Sequence, residues 1–329
     1  MPVKNRFAEL LPEITAWRRD FHQNPELDYN VHRTAGKVAE LLRGFGVDDV
    51  TEGVGRSGVV GVIRGRSDSK GRVIGLRADM DALPIREQTG AEYASNVPGV
   101  MHACGHDGHT AMLLGAAKYL AETRNFDGTA VVIFQPAEEG GAGGLAMVKD
   151  GLVDRWGIQE FYGMHNMPGY PTGSFAIREG AMMAAADTIE IVVTGKGGHA
   201  AKPHEAIDTA LVAAQIIVAL QSLVSRNVDP LKSAVVSICV VETDSTAHNV
   251  IPQMVKLKGT ARSLDPEVRD QLEDGVQRVA TNIAAAFGAR AEVKYDRGYP
   301  VTMNHPEATA HAAEVARSIA GDVNTEMAP

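Results

Sequence analysis

At 329 residues, 44% hydrophobic and 22% charged, the chain has the make-up of an ordinary soluble globular protein, long enough for two domains. Its net charge of −9 is spread along the sequence with no basic block, which argues against nucleic acid as a partner. No run is long and apolar enough to read as a membrane span, and the N-terminus lacks the apolar core of a signal peptide.

Helical periodicity covers roughly residues 5–22 and 31–45, with Pro25 breaking the chain between them. Three short apolar runs of the fully buried strand type follow, RVIGL (72–76), TAVVIF (129–134) and EFYGM (160–164). Helical stretches at 108–124 and 144–150 alternate with them, which predicts an α/β layered domain with a mostly parallel sheet. Near residue 181 the pattern changes to strand (188–195), helix (204–224), strands (233–241 and 254–262), helix (266–287) and strand (289–295). That β-α-β-β-α-β order is the split ferredoxin-like unit. Asp265-Pro266 with Glu267 opens its second helix. From His305 a helical pattern resumes. The expected fold class is α/β, with a catalytic α/β domain at 1–180 plus 298–329 interrupted by a ferredoxin-like α+β domain at 181–297. Of the two cysteines, Cys239 lies in the apolar run AVVSICVV and reads as a buried small hydrophobe; Cys104 has no such setting. One disulfide between them is allowed, but free thiols in a cytoplasmic protein are the simpler expectation.

The residues after each buried strand carry the chemistry. RVIGL runs into Asp79 and Asp81, TAVVIF into Glu138 and Glu139, and EFYGM into His165. In open α/β sheets ligands bind beyond the carboxyl ends of strands, so these groups converge on one rim. MHACGHDGHT (101–110) lies in a loop before a helix that brings it to the same place. Alone, this stretch fits metal binding, nucleophilic chemistry or a polar loop. Thiolate, imidazole and carboxylate together favour a borderline metal such as zinc, or manganese, cobalt or nickel. Of two adjacent glutamates, one can hold metal while its neighbour takes a proton from water. Asp79 and Asp81 either orient the histidines or form a turn. A rival chemistry makes Cys104 a thiol nucleophile with His106 or His109 as base. His22, His32, His204, His248 and His305 read as structural or solvated. The run GGAGG has no P-loop lysine at the required spacing.

Taken together, HACGHDGH, QPAEEG, GMHN, GKGGHAAKPH and NVIPQMVKLKGTAR make the chain resemble the aminoacylase/carboxypeptidase G superfamily of dinuclear metallopeptidases, in its hippurate hydrolase and auxin-conjugate amidohydrolase branch. The likeness runs from the N-terminal helix to the last residue. It implies a metal-dependent amidohydrolase acting on small N-acyl amino acids, with two divalent ions per subunit. Cys104 would bridge the ions, His106, Glu139 and His165 would complete much of the ligand set, Glu138 would be the general base, and Asp81 the orienting aspartate. The inserted domain would form a homodimer, placing His199 at the oxyanion in the partner's site, with Asn249 and Arg262 recognising the substrate. Members of this superfamily continue through a Met-Gly-x-Glu-Asp-Phe segment to a late histidine ligand, whereas this sequence stops at TEMAP. A shortened, catalytically impaired member with exposed apolar surface is therefore the alternative expectation.

Overall fold

The computed structural model describes residues 3–322 and 325–327. Val323, Asn324, Ala328 and Pro329 of the expected 298–329 segment, like Met1 and Pro2, lie outside the described residues. The chain divides into two compact units, Met1–Tyr170 and Pro171–Pro329.

The first unit runs α1 (Val3–Gln23), α2 (His32–Gly44), β1 (Asp49–Val54), β2 (Gly58–Arg64), β3 (Val73–Asp79), α3 (His106–Thr123), β4 (Thr129–Gln135), α4 (Gly143–Lys149), α5 (Leu152–Trp156) and β5 (Glu160–Gly163). Its five strands lie in the order β1-β2-β4-β3-β5. β3 is parallel to β4 and to β5, but β2 is antiparallel to both β1 and β4, so the sheet is mixed and not mostly parallel. The β1–β2 hairpin lies outside the three predicted strands: DVTEGV is polar and glycine-containing, as an edge strand can be, whereas GVVGVIR is apolar and buried like TAVVIF. Alternate residues of the central strands serve opposite faces. Val59, Ile63, Val132 and Phe134 pack with Phe21, Leu42 and Leu114 of α1–α3, while Val60, Val131 and Ile133 pack with Met147, Leu152 and Ile158. Each such side chain, fully buried, contributes about 1.5–3 kcal/mol. β5 is the other edge and is not fully buried as its sequence implied: with one neighbouring strand, it leaves Phe161 46% exposed.

Parallel pairing sets the site. Asp79 is in register with Gln135, and Arg77 with Gly163, so β3, β4 and β5 end at one edge. The residues that follow them emerge side by side.

The second unit contains β6 (Phe175–Ile177), β7 (Gly180–Met183), β8 (Ala185–Thr194), β9 (Gly198–His199), α6 (Thr209–Ser222), β10 (Ala234–Thr243), β11 (Val250–Ile251), β12 (Met254–Ser263), α7 (Pro266–Ala286), β13 (Arg290–Arg297), β14 (Thr302–Asn304), α8 (Pro306–Ala320) and β15 (Thr325–Met327). Its main sheet is antiparallel in the order β10-β12-β8-β13. Ile189, Ile191 and Val193 pack on Val212, Ile216 and Leu220 of α6 and on Leu272 and Val276 of α7. Short pairs join β6 with β15, β7 with β14 and β9 with β11. Helix α7 begins where expected: Asp265 accepts from the amides of Glu267 (2.8 Å) and Val268 (3.3 Å). Helix α6 begins later than its apolar pattern, because Asp208 caps it by accepting from Leu211 N–H at 3.0 Å. Residues Thr209–Asn227 are, among the described residues, the single helical stretch long and apolar enough to cross a membrane, yet Val212, Ala213, Ile216 and Leu220 belong to this unit's core.

Cys239 departs from the expected burial. The β10–β12 register shifts between Ile238 and Val240, leaving Cys239 as an extra residue on an edge strand, where it is exposed. Both cysteines are free thiols.

Candidate metal centre

Five segments of the first unit deliver the site. Asp79 ends β3 and Asp81 follows it; Cys104 stands in a bend; His106 and His109 lie in the first turn of α3; Glu138 and Glu139 follow β4; His165 and Asn166 follow β5. The helix thus starts at His106, two residues earlier than its pattern implied, so His106 as well as His109 is helical. Gly105 makes this start possible. Its φ of 91° is left-handed, and a Cβ there would lie 2.2 Å from the Asn166 side chain.

The donors gather into three overlapping groups: Cys104–His106–His165, His106–Glu138–Glu139 and Asp79–His106–His109, each with its ligand atoms within 4.8 Å of one another. His106 belongs to all three. Its Nδ1–H donates to the Asp81 carbonyl oxygen at 2.8 Å, which leaves the Nε2 lone pair for a ligand. Nε2 lies 3.7 Å from Glu139 Oε1, 3.6 Å from Asp79 Oδ2 and 3.9 Å from Glu138 Oε2. His165 is oriented likewise: Nδ1–H donates to Asn166 O at 2.7 Å, and Nε2 faces Cys104 Sγ at 3.3 Å.

Asp81 acts on the backbone. Its Oδ1 and Oδ2 accept from the amides of Glu138 (2.9 Å) and Glu139 (3.0 Å), fixing the paired glutamates. The preceding Ala137 adopts a left-handed φ of 51°, a conformation that costs an L-residue about 1 kcal/mol. Asp79 accepts from His109 Nδ1 at 2.6 Å and from Arg77 Nη1 at 2.7 Å; His109 Nε2 in turn accepts from Asn166 N–H at 3.0 Å. The i,i+3 spacing of His106 and His109 was the available sign that both face one way. Nothing local to the sequence pointed to Asn166 or Arg77 as their supports.

Electrostatics follow the crowding of acids. Burial, with Glu139 beside it, pushes the Cys104 thiol up to about 12, and burial with Asp79 and Glu139 raises Glu138. Burial works against charging His106, but Asp81, Asp79 and Glu139 outweigh it and raise its pKa. Asp79 is driven well below the usual carboxylate range: its own burial is opposed by His109 and Arg77.

The donor set passes a chemical test for divalent metal. His106 Nε2 and Glu139 Oε1 are buried without a hydrogen-bond partner, an arrangement that costs about 1–3 kcal/mol per group unless a ligand meets it. One sulfur, imidazole nitrogens and carboxylates converge there, the mixture suited to a borderline ion.

The remaining expected residues lie in the second unit. His199 on β9 is exposed; its Nδ1 accepts from Ala201 N–H at 3.1 Å, and it lines a pocket of about 450 Å³ with Gly198, Asp244 and Ser245. Asn249 is brought beside it, its carbonyl accepting from Ala200 N–H at 3.0 Å next to the Val250–His199 pair. Arg262 is exposed on β12, opposite Ala186, with Nη1 on the Ala261 carbonyl at 3.0 Å.

A family model described as peptidase family M20/M25/M40 matches residues 75–329. The chain belongs to this family. Among its relatives, a hippurate hydrolase of Campylobacter jejuni is 46% identical over 320 residues, covering 97% of this chain and 82% of that protein. An N-acetylcysteine deacetylase of Bacillus subtilis is 42% identical, covering 95% and 81%. The crystal structure of the Bacillus subtilis YXEP protein, described as a dinuclear metal-binding peptidase of the M20 family, superposes with a TM-score of 0.79 at 38% identity, covering 97% of this chain and 83% of that one. Membership makes the chain a metal-dependent hydrolase with an α/β catalytic domain, as its motifs implied.

Proposed function

We propose that the M20-family protein described above is an amidohydrolase that cleaves N-acyl amino acids into a carboxylate and a free amino acid. The observation that carries this reading is the pair of buried, unpartnered atoms His106 Nε2 and Glu139 Oε1, set beside Cys104, His165 and a carboxyl group, Glu138, of raised pKa. The names of the hippurate hydrolase and N-acetylcysteine deacetylase relatives support the substrate class.

In this reading Cys104, His106, Glu139 and His165 hold two divalent ions, with zinc, manganese, cobalt and nickel all compatible with the donors. When bound, such ions supply Lewis acidity toward the amide carbonyl and make water more acidic. Glu138 takes the proton of the attacking water and returns it to the leaving amine, a role for which a raised carboxyl pKa is suited. Asp81 holds Glu138 and Glu139 in place through their amides. A homodimer formed through residues 181–297 would bring His199 of the partner subunit to the developing oxyanion, a contribution of about 3–4 kcal/mol for a donor of this kind. Asn249 and Arg262 would recognise the substrate's carboxylate. The catalytic domain would comprise 1–180 with 298–329. Two free thiols suit a reducing, cytoplasmic setting.

The test is hydrolysis of N-benzoylglycine and a panel of N-acetyl amino acids, with metal counted per chain before and after EDTA. Activity that vanishes with EDTA and returns with manganese or zinc, at about two ions per chain, is expected. Activity that survives EDTA but is destroyed by iodoacetamide would overturn the reading in favour of a Cys104 nucleophile. The elevated Cys104 pKa speaks against that outcome, since thiol nucleophiles need a lowered one.

A further inference from the structure

The first turn of α3 carries His106, the residue common to every donor group, yet no side chain caps this turn. Toward the site it is held by Thr110 Oγ1, donating to Asp79 O at 2.8 Å, and by His109 on the Asp79 carboxylate. Its other side meets a buried chain of charged groups that the reaction does not use. Asp107, adjacent to His106 and 1% exposed, accepts through Oδ2 from His22 Nδ1 at 2.7 Å and forms an ion pair with Arg18 Nε at 2.8 Å, both on α1. His22, 4% exposed, reaches Glu87 Oε1 with its other nitrogen at 3.2 Å. Glu87 in turn accepts from Ser95 N–H at 2.6 Å and Thr89 Oγ1 at 2.5 Å within its own loop, and Tyr93 of that loop lies under the guanidinium groups of Arg18 and Arg19, at 4.9 and 4.8 Å.

Buried ionic chains are a weak means of stabilising a fold, because desolvation offsets most of their attraction. Directed hydrogen bonds, in contrast, restrict the groups they join to a narrow range of orientations. Here one histidine ties the first turn of α3, helix α1 and the loop of residues 84–100 to each other. We propose that the Glu87–His22–Asp107 chain is a positioning device for the metal centre: it fixes the first turn of α3, and with it the direction of His106 Nε2. Glu87, His22 and Asp107 are positioning residues, and the inference rests on reading the Cys104–His165 cluster as a metal centre.

Cobalt(II) is the probe. Its affinity, by competition with a chelating dye, and its visible d–d spectrum would be measured for wild type, Asp107→Ala, His22→Ala, His22→Asn and Arg6→Ala, together with the thermal midpoint of each metal-free protein. Arg6 is the control: it joins the same two helices through Glu122 (2.7 and 2.9 Å) but belongs to neither the site nor the chain. Asp107→Ala and His22→Ala should weaken cobalt binding about 10–100-fold, the range for lost supports of metal ligands, and alter the spectrum. His22→Asn, whose amide can still donate to Asp107, should recover part of the loss, while Arg6→Ala should change neither reading. Cobalt binding and spectra unchanged in the chain variants, or lost equally in Arg6→Ala, would overturn the inference. If Asp107→Ala does not fold, His22→Asn against His22→Ala decides it. A wild-type protein that binds no cobalt would instead overturn the metal-centre reading itself, and the inference with it.

Discussion

Glu138 and Glu139 are neighbours in sequence, yet only Glu139 leaves a buried oxygen unpartnered among the donors, while the Glu138 carboxyl has its pKa raised by burial, Asp79 and Glu139. This division at the residue scale gives a separable outcome. Glu138→Ala should reduce hydrolysis by about 10²–10⁴-fold, the usual contribution of an acid–base group, with metal content near that of wild type. Plasma mass spectrometry and turnover on the same sample check both halves; retained turnover would remove Glu138 as the general base. Asp81 differs in kind, because its two oxygens are already taken by backbone amides.

At the scale of elements, the second unit depends on one buried polar joint between β8, α7 and β13. Asp187, 3% exposed, receives Arg269 Nε and Nη2 (3.0 and 2.5 Å), Tyr295 Oη (2.9 Å) and Gly298 N–H (3.2 Å). Burial alone would raise its pKa, but Arg269 and Tyr295 overcome that and hold the carboxyl below its ordinary value. A depressed folded-state pKa means stability that is fully present above the unfolded value of about 3.9 and is lost as pH falls through the folded value. Asp187→Ala should cost about 3–5 kcal/mol at neutral pH, because it strands Arg269. Denaturant melts of the two proteins should show a constant gap down to about pH 5 and a narrowing one below pH 4. A gap that widens with acid would contradict the assignment.

For the whole molecule, the trans role proposed for His199 has a direct test. Edge strand β10 exposes Val235 and Val241, and α6 exposes Leu211 and, at 69%, Val218. If His199 serves the partner's site, mixing His199→Ala with Glu138→Ala should restore activity toward a quarter of wild type, since about half the dimers are mixed and each holds one intact site. Absence of recovery in demonstrated heterodimers would argue against a histidine acting in trans.

Much of this protein was legible in its sequence because the relevant signals are local. Apolar period and capping residues marked the helices and the ferredoxin-like order of the second unit, and parallel strands that must end together made Asp79, Asp81, Glu138, Glu139 and His165 a credible cluster. Other features depend on partners distant in the chain. The β1–β2 hairpin pairs antiparallel with β4 despite its polar first strand, and Cys239 sits outside because a register shift ejects it. The ligand-ready tautomer of His106 is set by a carbonyl 25 residues away, and the buried link between His22 and Asp107 spans 85 residues. No pattern along the chain encodes such pairings. Sequence determined which chemistry this protein carries; tertiary packing alone decided which atoms are paired and which are left for a ligand, because burial makes every hydrogen bond a choice between a named partner and none.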